Sequence, residues 1–105
     1  MQVPIELKIK YLDRRIQDIQ KLRTSLDLDD YSFAIKLGHQ VKGNAVTFDF
    51  PQLAFIGVEI ENAAKKQDKD RVNILVQKME SALYTARESF SEGEGLSAPF
   101  VLTAV

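Results

Sequence analysis

Apolar residues recur every three to four positions along most of this chain, and that spacing limits the fold more than any other feature. Ile5, Ile9, Leu12, Ile16, Ile19, Leu22 and Leu26 draw one stripe down a long first helix. Lys21 and Arg23 suit its C-terminal end, where cations meet the negative pole of the helix dipole. Asp27 to Asp30 reads as a break, and Asp29 or Asp30 can cap the next helix. A second helix is expected from about Tyr31 to Thr47. Phe48-Asp49-Phe50 then connects to Pro51, a good first-turn residue for a third helix. That helix carries Leu53, Ile56, Ile60 and Ala63 on one face and stops near Lys66 to Asp68. A fourth, from Lys69 to Phe90, repeats the pattern with Val72, Leu75, Met79, Leu83, Ala86 and Phe90.

Four amphipathic segments joined by short breaks predict an all-α chain, an antiparallel up-down four-helix bundle over residues 1–90. Residues 91–105 differ. Ser91-Glu92-Gly93-Glu94-Gly95 is linker-like, and LSAPFVLTAV after it is an apolar C-terminal tail too short to form a domain. Packing back on the bundle, pairing with a partner and staying loose all remain open for it.

Bulk properties exclude several function classes. The chain has 105 residues, enough to bury one core, and 45 % of them are hydrophobic. It has 14 basic and 15 acidic residues for a net charge of -1, not the basic footprint that nucleic acid requires. The absence of cysteine excludes disulfides and thiolate metal sites and fits a reducing, cytoplasmic setting. No run has signal-peptide or membrane-span character, so no membrane association is expected.

His39 is the only histidine. On a helical wheel of about 100° per residue, Ala34, Leu37, Val41, Ala45 and Phe48 form the buried stripe of the second helix, and His39 lies about 160° from its centre. It should therefore face water. Lys36 lies one turn before it, and Lys42 and Gly43 one turn after it. Ile35 and Val46 turn toward the same outer side with no evident core duty. An imidazole in water has a pKa of about 6.5, so at neutral pH it is largely uncharged and nucleophilic. A phosphoryl group on it would add negative charge that Lys42 or Lys36 could offset. An interior glycine costs a helix about 1 kcal/mol relative to alanine, so Gly43 invites a reason, and bare surface for a closely approaching partner is one. Gly38 faces nearer the core and suits close helix packing.

The stretch Lys36-Leu37-Gly38-His39-Gln40-Val41-Lys42-Gly43-Asn44-Ala45 resembles the signature of histidine-containing phosphotransfer (HPt) domains, a histidine followed by an apolar residue, then Lys-Gly. The likeness runs on through Phe48 to Leu53, Ile56-Gly57 and Ile60 to Ala64, and back to Tyr11 to Arg15, covering roughly residues 5 to 88. The resemblance implies a four-helix bundle with an exposed phospho-accepting histidine. His39 would be the phosphorylated residue, Lys42 (with Lys36) the supporting charge, and Gly43 the clearance residue. Ile35, Gln40 and Val46 would contribute to a docking face. The implied partner is a response-regulator receiver domain or hybrid histidine kinase, which supplies the aspartate and the Mg²⁺, so no cofactor is expected on this chain. Many members have glycine where Asp49 stands, and a leucine where Val41 stands.

Other chemistries fare poorly. No Glu-x-x-His pair exists for a metal site, Glu59 and Glu61 read as solvated surface, and no phosphate-gripping loop is present, so autophosphorylation from nucleotide is not expected. Phe33, Phe48, Phe50 and Phe55 read as core or helix-junction packing. The expected function is a phosphorelay intermediate and not an independent enzyme. The competing reading is an adaptor or inhibitor that binds a receiver or kinase without transferring phosphate.

Overall fold

The computed structural model describes residues 3–93, with side chains through Phe90. Four helices occupy most of that span: α1 Ile5–Asp27, α2 Ser32–Asn44, α3 Pro51–Lys65 and α4 Lys69–Gly93. Among the described residues there is no strand, and no helix is long and apolar enough to cross a membrane. α2 packs chiefly on α3, α3 on α4 and α4 on α1, so the helices enclose one core as a four-helix bundle.

The apolar stripes form that core. Leu12, Leu22, Leu26, Leu37, Ile60, Leu75, Met79 and Leu83 are almost wholly buried in it. The stripe of α1 starts later than its period suggests, because Ile5 is exposed and Ile9 only half-buried. Phe55 also departs from expectation. It is 66 % exposed and packs neither in the core nor at a junction.

The helix ends follow local chemistry. Asp29 takes a positive φ of 57° past the end of α1, and the Asp30 carboxylate accepts hydrogen bonds from the Ser32 backbone N–H (3.0 Å) and hydroxyl (2.7 Å). α2 ends at Asn44, short of the expected Thr47, because the chain bends there to stack Phe48 on Tyr11 at 4.4 Å between ring centroids. Asp49 sits in the left-handed region at φ 70°, a backbone conformation that glycine adopts more readily than other residues. Phe50 meets Phe90 edge-on, and Pro51 opens α3 as anticipated. α4 continues to Gly93, past Phe90, and the apolar tail from Glu94 onward lies outside the described residues.

One contact controls the α2–α3 approach. A Cβ built on Gly38 would lie 2.6 Å from the Gly57 carbonyl oxygen, and one on Gly57 would lie 2.9 Å from the Gly38 carbonyl oxygen. Neither backbone can yield as a flexible side chain would. Gly38→Ala and Gly57→Ala should each destabilise the fold by about 1–3 kcal/mol despite the better helix propensity of alanine. Urea unfolding monitored by circular dichroism measures this, and unchanged midpoints in both variants would disprove the tight approach.

Candidate functional site

The glycine contact places α3 directly behind the histidine. The same imagined Cβ on Gly38 would lie 2.8 Å from the Glu61 backbone nitrogen, so Glu61 falls beside the next residue of α2, His39. His39 Nδ1 is 3.3 Å from Glu61 Oε2. Lys65 Nζ approaches the same oxygen at 3.1 Å, and Lys42 Nζ lies 3.7 Å from Oε1. The result is one carboxylate ringed by an imidazole and two ammonium groups.

The members differ sharply in exposure. The His39 side chain is 66 % exposed, whereas that of Glu61 is only 9 % exposed. The hydrogen bond from Lys65 is the main cause holding the Glu61 carboxyl below the usual carboxylate range. Partial desolvation opposes it, and the charges of Lys65, Lys42 and His39 reinforce it. Glu61 is thus ionised at neutral pH and can only accept hydrogen bonds. Its contact with His39 requires the ring hydrogen on Nδ1, which leaves the lone pair of the neutral ring on Nε2, the nitrogen not engaged by Glu61. Chemically the arrangement offers an oriented, solvent-accessible nitrogen nucleophile flanked by positive charge.

The neighbouring surface is open. A Cβ added to Gly43 meets nothing within 4 Å. Gln40 and Lys36 are exposed, and Lys36 makes no ion pair among the described residues. Val46 is 60 % exposed. Ile35 requires a correction, because it is half-buried and packs against the core, so it has the core duty its wheel position hid. Below the site, the Tyr11 hydroxyl donates to Asn44 Oδ1 and ties the end of α2 to α1. Burial raises the Tyr11 pKa to about 12, so that donor keeps its proton.

Glu61 is the residue that sequence reasoning missed, since it was read with Glu59 as solvated surface. Glu59 is half-buried and pairs with Arg71 at 3.3 Å, while Glu61 belongs to a second buried stripe of α3, Ala54-Gly57-Glu61-Ala64. A carboxylate at helical spacing among small residues was the available signal.

The profile of the Hpt domain family matches residues 6–90. The chain belongs to the Hpt domain family. No curated protein and no solved structure gives a significant match. Hpt domains carry phosphoryl groups on histidine within phosphorelays, act as carrier modules and not as self-contained enzymes, and interact with receiver domains and kinases of two-component signalling.

The Glu61 cluster gives this Hpt domain an acid-sensitive element. A carboxyl with a lowered folded-state pKa contributes stability that is fully present above the unfolded value of about 4.5 and is lost as pH falls through the folded value. Glu61→Gln should therefore be less stable than the native chain at neutral pH, with the gap narrowing toward about pH 3. Parallel urea titrations at the two pH values test this, and a gap independent of pH would contradict it.

Proposed function

We propose that this chain is a phosphorelay intermediate that accepts a phosphoryl group on Nε2 of His39 and passes it on. The observation that supports this most directly is the exposed imidazole held at Nδ1 by Glu61 beside the bare surface of Gly43. A phospho-aspartyl receiver domain docks over that surface and brings its own Mg²⁺. The Nε2 lone pair attacks phosphorus in line, the N–P bond forms, and the P–O bond to the aspartate breaks, releasing its carboxylate. The Nδ1 hydrogen stays in place, so the phosphorylated ring is cationic and faces the Glu61 carboxylate. Lys42 lies on the incoming side to offset phosphoryl charge, with the exposed Lys36 as a longer-range contribution. Gln40 and Val46 flank the docking face, Ile35 only through its exposed part. Return transfer to a second receiver aspartate runs the same steps backward.

The remaining features fit a carrier. The chain is read as having no nucleotide site of its own and as acting in the cytoplasm. The ion pairs Arg87–Asp13 (2.9 Å) and Arg23–Glu80 (2.7 Å) run in opposite senses along α1 and α4 and support the antiparallel up-down order.

The test is transfer from receiver domains phosphorylated by a small-molecule phosphodonor. Acid-labile, base-stable label should appear on the native chain and be absent from His39→Gln. Gly43→Leu should stay folded, since the site is open and leucine favours helix, yet transfer should slow roughly fivefold or more through a steric cost of about 1–3 kcal/mol at the docking face. Equal binding of a receiver to native and His39→Gln chains, with no transfer to either, would sink the relay reading in favour of the adaptor.

A further inference from the structure

An open groove runs between α3 and α4, away from the phosphotransfer face. Ile56, Ala82 and Ala86 form its apolar lining, the exposed side chains of Phe55 and Ile74 stand beside them, and Ser89 lies nearest the end of α4. None of His39, Lys42, Glu61 or Lys65 lines it. Exposed aromatic and aliphatic groups gathered along one groove mark a surface that is covered in the working molecule.

We infer that the chain's own C-terminal segment, Leu96–Val105, covers this groove. Its composition fits. In a chain that is 28 % charged, these ten residues carry no charge and include Phe100-Val101-Leu102 in succession. Its starting point fits as well, since the described part of α4 runs to Gly93, one turn beyond Ser89. A return along α4 needs a reversal, and Gly93 and Gly95 supply the backbone freedom for one. Pro99 disfavours continued helix and favours an extended run.

Reach is sufficient. From Ser89 back to Ile74 the groove follows 15 residues of helix, about 22 Å at ~1.5 Å per residue. The 12 residues from Glu94 to Val105 span up to ~40 Å when extended. Small side chains on α4, Ser81, Ala82, Thr85 and Ala86, line the groove and leave room for a chain to lie along it. A tethered segment meets its groove at an effective concentration of about millimolar, which favours it over a second copy of the chain at ordinary protein concentrations. The segment shields apolar surface while His39 stays open to its partners.

The experiment uses the full chain. It lacks cysteine, so Thr103→Cys gives a single attachment point for a nitroxide spin label. Amide NMR signals of Phe55, Ile74, Ala82 and Ala86 should lose most of their intensity, those around His39 should not, and dilution should leave the pattern unchanged. Phe55→Ser, at an exposed position, and Phe100→Ser, in the segment itself, should each restore the lost intensity without changing phosphoryl transfer to His39. Absent or evenly spread loss would overturn the proposal. So would loss seen only when spin-labelled molecules are mixed with isotope-enriched unlabelled ones, which would assign the groove to a second copy. Transfer is measured on the same samples, so failure of the tail contact is distinguishable from failure of the relay.

Discussion

The site depends on how closely two backbones approach at Gly38 and Gly57. Hydrogen side chains at both positions let the carbonyl of each glycine lie where a methyl group would otherwise stand. Interior glycine is unfavourable in a helix by about 1 kcal/mol, so both helices give up propensity for proximity. The return is geometric. Glu61 follows Gly57 by one helical turn and His39 follows Gly38 immediately, so the crossing brings a carboxylate from one helix to the imidazole of another. A wider crossing would leave Nδ1 without a partner and the ring free to rotate.

The cluster around Glu61 orients groups more than it stabilises the fold. Pairs this exposed on the lysine and histidine side add little to stability, because solvent screens them. Their value lies in the charge balance. One carboxylate beside two lysines leaves positive charge uncompensated at the surface, and a phosphoryl group carrying about -1.5 to -2 would draw on it. The carboxylate itself is largely buried between α2 and α3, where it meets Nδ1.

Helix content and the buried stripes were legible because a 3.6-residue period is a strong local signal, and His39 stood out because the only histidine falls opposite the stripe of α2. What escaped was set by tertiary contact. The end of α2 at Asn44 depends on Phe48 reaching Tyr11, 37 positions back in the sequence, which no local pattern encodes. Ile35 looked outward on a wheel of one helix but meets a core built from the others. Phe55 shows the converse, an aromatic residue on the side of α3 that α2 and α4 leave bare. Glu61 was hidden for the same reason as Ile35, since its burial belongs to the crossing of two helices and not to its own segment.

Gly38 and Gly43 show how one residue type serves opposite ends in the same helix. Five residues separate them, about 140° around the axis, so one faces α3 and the other faces solvent. A helix of 13 residues with two glycines would be marginal in isolation. Docking against α3 must therefore hold α2 together, through Leu37, Val41 and the Gly38 crossing. That dependence ties the imidazole of His39 to the core. His39 can be largely exposed on a weak helix without losing its orientation, because the face opposite it is packed and the carboxylate steering it comes from the partner helix. Loosening the α2–α3 contact would therefore disorder the imidazole before it unfolded the bundle, since α1 and α4 keep their own packing and ion pairs.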